Sequence, residues 1–294
     1  MSDKAFKMTD RDYLILQTLY EYRYLSISQI ELLFFPSLQT AYRRMKILRD
    51  QKLIDTIPVP EIHESIFFVT KKGFDNVVDL IKTEGESIDW RNINTKPKNS
   101  LFMNHFLAIN DFRINLSKAC NDSDINLVKF IPEYYGGKSN KGSPTKYIRD
   151  TVSDFQAQHK RTSHTPDGVF ALERDGKFAL FFLEIDMGTE VVSNIKRGVL
   201  KAIWFYVNYL IQGGYQHYCE DFSIESFKGF RSLFVTTSES RIENIRQASD
   251  AIQISQKAKQ FQWITTFESV ENNGVFDPVW KSIDHTDSNS YQIG

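Results

Sequence analysis

The stretch 164–190, HTPDGVFALERDGKFALFFLEIDMGTE, decides how the second half of this chain folds. DGVFALE and KFALFFLEID are apolar runs joined by RDG, a tight-turn signal, so together they predict a β-hairpin. Three of its acids fall at one end. Asp167 opens the first strand, and Glu184 and Asp186 close the second. Those ends are adjacent in an antiparallel hairpin, and strand residues i and i+2 share a face. The pattern therefore gathers three oxygen-donor side chains. Buried acids are costly unless paired or metal-bound. A hard divalent cation, Mg2+ or Mn2+, is one way to neutralise them. Salt-bridge partners at exposed strand ends are the other.

Downstream, the pattern predicts a helix over 189–212 stopped by Gly213-Gly214, then a strand over 229–237. A helix over 238–259, a strand over 262–267 and a polar, frayed tail over 278–294 follow. Upstream, LFMNHFLAINDFRINLSKAC reads as an amphipathic helix and 125–133 as a strand ending at Pro132-Glu133. The stretch 134–165 is read as irregular. It carries Lys138, Lys141, Lys146, Arg149, Lys160 and Arg161 against Asp150 and Asp154. It is either a basic loop suited to a phosphodiester or an insertion with no site role. Strands alternating with helices around one hairpin indicate an α/β three-layer domain over 101–277.

The N-terminal part, 1–83, has a different rhythm. Leu14, Ile15, Leu16, Leu19 and Tyr20 recur at helical spacing after Thr9, a helix N-cap. SQIELLFF is a second, short helix closed by Pro36. A third helix is expected over 38–52, with Ala41, Met45 and Leu48 inward. Two β-type runs about PVPEIHE and a further helix complete the pattern of a winged helix-turn-helix. The third helix carries Arg43, Arg44, Lys46, Arg49 and Lys52 against Asp50, which suits a DNA groove. The plainer alternative is a solvated helix face. The polar stretch 84–100 is placed as a linker.

Formal net charge is -1 over 294 residues, so any affinity for a polyanion has to be local. Two distant cysteines without metal-ligand spacing point to a reducing, cytoplasmic setting. The longest apolar run, GVLKAIWFYVNYLIQGGY, contains Lys201 and Asn208 and reads as a buried helix, so no membrane span is expected.

PDGVF and FFLEID resemble the PD-(D/E)xK nuclease pattern, whose αβββαβ order the second domain follows. The resemblance implies an α/β (α+β) fold: a winged helix-turn-helix followed by a restriction-endonuclease-like domain. It also implies that Asp167 and Glu184 hold Mg2+ or Mn2+. Asp186 stands where the pattern has lysine, so Lys201 or Lys196 on the next helix would have to supply the cation. NHFLAIND, PDGVF and FFLEIDMGTE, with a following helix bearing K…FY, more closely resemble the replication-relaxation family over about 9–210. That family includes plasmid-encoded proteins and MobC-type relaxases. What it implies is nicking of plasmid DNA, with Asp167, Glu184 and Asp186 as metal ligands or their support. Glu133 and Glu190 would complete the acidic cluster, and Lys201 would contact phosphate.

Glu190 has a second reading, as an acid in the first turn of a helix. His164 is an accessory candidate for acid–base work or phosphate binding, and His105 a weaker one. A covalent mechanism would need a nucleophile, for which Tyr20, Tyr22 and Tyr24 are candidates. Activated water needs none. The partners implied are duplex DNA, single-stranded DNA at the nick, a second copy of the chain, and mobilisation or replication proteins. Two rival functions remain: a non-catalytic origin or operator binder on a degenerate nuclease fold, and an endonuclease cutting both strands.

Overall fold

The computed structural model describes residues 6–81, 99–133, 136–138, 144–146, 148–154, 160–192, 197–252 and 256–293. The chain divides into two compact units, 1–111 and 112–294.

The N-terminal unit runs α1 (Asp10–Tyr22), β1 (Leu25–Ser26), α2 (Ile27–Phe34), α3 (Leu38–Asp50), β2 (Ile54–Ile57), β3 (Ile66–Val69) and α4 (Lys71–Ile81), and ends within α5 (Ser100–Asn121). Ser26 starts α2 through a reciprocal cap: its hydroxyl accepts the Gln29 N–H at 3.2 Å, and Gln29 Oε1 accepts the Ser26 N–H at 3.1 Å. Ala41, Met45 and Leu48 of α3 are fully buried, as their spacing predicts. The three strands form one antiparallel sheet in the order β1-β3-β2. Asn110 of α5 donates to the Tyr24 carbonyl at 2.7 Å, and Gln29 donates to Asp111 at 2.6 Å, so the first part of α5 packs with this unit. The linker expected at 84–100 lies, up to residue 98, outside the described residues. The third helix stops at Asp50. Lys52, expected on it, sits in the turn into β2 with φ 59°.

The second unit is built on a seven-stranded mixed sheet. Its strands are β4 (Asn126–Pro132), β9 (Gly168–Arg174), β10 (Lys177–Asp186), β11 (Phe230–Thr236), β12 (Gln262–Thr266), β13 (Trp280–Ser282) and β14 (Ser290–Tyr291). Between β4 and β9 come two small hairpins, β5 (Gly136–Lys138) with β6 (Pro144–Lys146), and β7 (Asp150–Asp154) with β8 (Lys160–His164). The helices are α6 (Gly198–Gln212), α7 (Tyr218–Phe222), α8 (Glu239–Ala248), α9 (Gln256–Lys259) and α10 (Phe267–Asn272). The sheet order is β14-β13-β12-β11-β10-β9-β4, with β10, β11 and β12 parallel. From α5 to β11 the chain runs α5, β4, the two small hairpins, β9, β10, α6, α7 and β11.

The β9–β10 hairpin turns on Asp175 and Gly176, both left-handed (φ 52° and 70°), which is the two-residue turn that matches strand twist. On one face, Val169, Ala171, Leu180 and Phe182 pack with Ile203, Tyr206 and Tyr209 of α6 and with Ile242 and Ile245 of α8. On the other, Phe130 stacks on Phe170 at 5.7 Å and Phe170 on Phe181 at 5.0 Å. The two buried rings, Phe170 and Phe181, contribute roughly 1.5–3 kcal/mol each.

Four expectations are corrected. The described residues within 134–165 are not irregular: β7 and β8 pair there, and Ile148 and Val152 are fully buried. The helix expected from 189 begins at Gly198: residues 189–192 are not helical, and the left-handed φ of Gly198 (58°) marks the break in helical backbone at the start of α6. The helix expected over 238–259 stops at Ala248, where the Ser249 hydroxyl folds back on the Arg246 carbonyl at 2.7 Å. The tail is not frayed. Trp280 and Ile283 are fully buried, and β13 pairs with β12.

Candidate functional site

Strand register sets the site. The Glu133 N–H donates to the Asp167 carbonyl at 3.1 Å, and the Asp167 N–H donates to the Leu183 carbonyl at 3.0 Å. Gly168 pairs with Leu183, so Asp167 stands level with Glu184. Glu133, Asp167 and Glu184 thus form a row across three neighbouring strands. Asp167 and Val169, like Phe182 and Glu184, are two residues apart and share a strand face, so both acids belong to the face that α6 covers. The glycine of PDG has a steric reason. The Phe130 ring packs directly against Gly168, where a side chain would collide with it.

Glu184 is held by two donors on one oxygen. His164 Nε2 lies 2.6 Å from Oε1, and the Tyr206 hydroxyl donates to the same atom. Both His164 and Glu184 side chains are about 15% exposed or less, which makes this a sheltered pair. Burial works against the imidazolium, but the charges of Glu184 and Asp167 outweigh it and raise the His164 pKa above its ordinary value. Burial and the Glu184 charge push the Tyr206 hydroxyl far up, so it stays a protonated donor. Asp167 Oδ2 accepts the Ile185 N–H at 2.7 Å, tying the acid to the strand beside it. Lys201 Nζ donates to the Ser163 carbonyl at 3.1 Å, and its charge reaches His164.

Asp186 lies on the same face two residues on but has partners of its own. Arg241 of α8 grips it with Nε on Oδ2 at 2.8 Å and Nη2 on Oδ1 at 3.0 Å. Thr236 donates to Oδ2 at 2.7 Å. Burial alone would raise the Asp186 carboxyl, yet Arg241 and Thr236 hold it below the usual range. Arg241 also donates to the Glu190 carbonyl at 2.8 Å. The Glu190 carboxylate packs against Gly198, the first residue of α6, where any side chain would collide with it. Glu190 therefore precedes the helix and is not in its first turn, yet it meets the positive helix end that its alternative reading invoked. Among the described residues, no three His, Cys, Asp or Glu side chains are grouped so that they could hold one metal ion.

The candidates in the N-terminal unit divide. Arg43, Lys46 and Arg49 are exposed on one face of α3 with Gln39 and Tyr42. Arg44 is not part of that face. Its Nε donates to Asp12 at 2.7 Å, its Nη2 makes a second bond, and the Asp12 side chain is fully buried. Tyr24 is 2% exposed and packs against Phe68 and Phe106, a core position unsuited to a nucleophile. Tyr22 is 9% exposed, and Tyr20 packs against Phe74. His105 is half-buried on α5 in this unit. Lys196 and the side chains of Lys138, Lys141, Lys146 and Lys160 lie outside the described residues.

Sequence reasoning missed Arg241 and Thr236, and it met Tyr206 only as the last residue of the K…FY motif, without a role. Period alone marks Tyr206 as core in that apolar helix run. Nothing in the sequence of α8 sets Arg241 apart from its polar neighbours.

A family model described as replication-relaxation matches residues 16–220. The chain belongs to the replication-relaxation family. No curated protein and no solved structure gives a significant match. Membership connects the protein with the replication or relaxation of plasmid or other mobile-element DNA. Among the described residues, no helix is long and apolar enough to cross a membrane.

Proposed function

We propose that this replication-relaxation protein binds duplex DNA through a winged helix-turn-helix in its N-terminal unit and nicks one strand at the acid row of its second unit. The observation that carries the reading is the register that sets Asp167 level with Glu184, with His164 and Lys201 beside them. Two carboxylates fit Mg2+ or Mn2+, because such ions take one or two protein acids and complete their shell with water and phosphate. When bound, the ion would lower the pKa of a water and stabilise charge on the phosphoryl oxygens.

The chain's own residues have these roles. Asp167 and Glu184 hold the ion. Tyr206 fixes the Glu184 rotamer from below. Lys201 meets the scissile phosphate and offsets its developing charge. Asp186 supports the site by anchoring Arg241 and through it the 186–190 segment. Water is the nucleophile, consistent with the burial of Tyr22 and Tyr24. Arg43, Lys46 and Arg49 contact the duplex.

One observation favours a second reading, a binding protein without cleavage. The pattern's lysine position is occupied by Asp186, and Arg241 already neutralises it. Supercoiled plasmid carrying the element's origin separates the two. Mn2+-dependent open circles, lost in Asp167→Ala while a gel shift persists, support nicking. A shift without conversion supports binding alone, and linear product would mean that both strands are cut.

A further inference from the structure

A cavity opens on the sheet face opposite the acid row. Its volume is about 500 Å³, and Leu172, Phe181, Lys177, Arg231, Trp263 and Gln292 help to line it. By strand alternation Arg231 and Trp263 point away from α6, since their neighbours Phe230, Phe234 and Ile264 pack towards it. The Arg231 guanidinium lies 3.8 Å from the centre of the Trp263 ring, and Trp263 stacks on Tyr291 at 5.0 Å.

The charges are unequal. Arg174 is paired with Asp124 at 3.1 Å, and Glu173 already accepts from Asn126 and from the Gly176 N–H, each at 2.7 Å. Among the described residues, neither Arg231 nor Lys177 has an ion-pair partner, and Asp175 is the other acid at the rim. Burial lowers the Arg231 pKa, a cost that an anion in the cavity would relieve. The cation–π contact holds the guanidinium in place with its donors unspent on carboxylates.

We propose that this cavity is a nucleotide-binding site, with the phosphate on Arg231 and Lys177 and the base against Leu172 and Phe181. The volume suits a small organic ligand and far exceeds a bare anion. The cations border an apolar floor, which matches a ligand charged at one end and apolar at the other. A guanidinium fork matches phosphate geometry. A free nucleotide and the end of a DNA strand share this chemistry. The inference is independent of cleavage at the acid row.

Titration calorimetry on the full chain tests it, with dAMP, dTMP, an oligothymidylate and inorganic phosphate as probes. Arg231→Gln and Lys177→Gln are the variants, with folding checked by melting. The expected result is nucleotide binding weakened about tenfold or more by each variant, or about 1.4 kcal/mol. Binding of the mononucleotides identifies a free nucleotide. Binding of the oligonucleotide alone, lost in both variants, identifies a strand end. No binding of any nucleotide at millimolar concentration overturns the proposal. So does affinity unchanged in both variants, or phosphate binding as tightly as dAMP.

Discussion

Arg241 holds both oxygens of Asp186, at 2.8 and 3.0 Å, with both side chains only about 15% exposed. This sheltered bidentate pair ties the end of β10 to α8. Removing the cation alone leaves a sheltered carboxylate without its partner. Arg241→Ala should therefore destabilise the fold by about 3 kcal/mol. Asp186→Asn should cost less, because the amide oxygen still accepts, and the guanidinium left without its counter-ion keeps the Glu190 carbonyl and has a long side chain that can reach solvent. Urea unfolding of both variants checks the order, and equal losses would count against the pair as an anchor.

On α3 the cations should separate by role. Arg43→Ala, Lys46→Ala and Arg49→Ala should each weaken duplex binding and reduce the salt slope by about 0.9 without moving the melting temperature. Arg44→Ala should lower the melting temperature, because it strands the buried Asp12 carboxylate. A salt titration of binding beside thermal melts tests both. A loss of stability in the first three, or none in Arg44→Ala, would reverse the assignment.

His217 gives a pH test. Its Nε2 lies 2.8 Å from Asp150 Oδ1, a carboxylate that also accepts from the Tyr218 hydroxyl at 2.8 Å. The hydrogen bond to Asp150 raises the His217 pKa, outweighing partial burial. A histidine with a raised folded pKa contributes stability that is complete below its unfolded value of about 6.5 and is lost as pH rises through the folded value. The imidazole is 49% exposed, so solvent screening keeps the gain under about 1 kcal/mol. The stability difference between the native chain and His217→Gln should thus be larger at acidic than at alkaline pH. A difference flat with pH, measured by denaturant titration, would remove the linkage.

The C-terminal segment should behave as structure. Trp280 is fully buried and its indole N–H donates to the Val275 carbonyl at 2.9 Å. Trp280→Ala should cost about 3–5 kcal/mol, and truncation before β13 should yield a poorly folded protein. A truncated chain that melts like the full one would restore the frayed-tail reading.

Tyr206→Phe probes the acid row without touching its charges. The hydroxyl is buried and spent on Glu184, so its loss should cost about 1 kcal/mol of stability. If the nicking reading holds, cleavage should fall while DNA affinity stays unchanged. Melting, gel shift and plasmid conversion on one preparation separate these effects.

The local patterns of the sequence determined the hairpin, the inward residues of α3, and the level at which Asp167 and Glu184 meet. Strand alternation and turn chemistry act over a few residues, so those features are written in short windows. The family was legible too, because its motif lies in one such window, 164–190. What tertiary structure alone decided is which donor reaches each acid. Arg241 comes to Asp186 from 55 residues away, and Tyr206 to Glu184 from 22. The same holds for Arg44, which reads like its neighbours on α3 until Asp12, 32 residues earlier, is packed against it. The folding of the tail from 278 was hidden likewise, since its short strands are held by pairing with β12 and by a few buried side chains, Trp280 and Ile283 among them. Charges carry no period that announces their partners, and only packing brings each pair within reach.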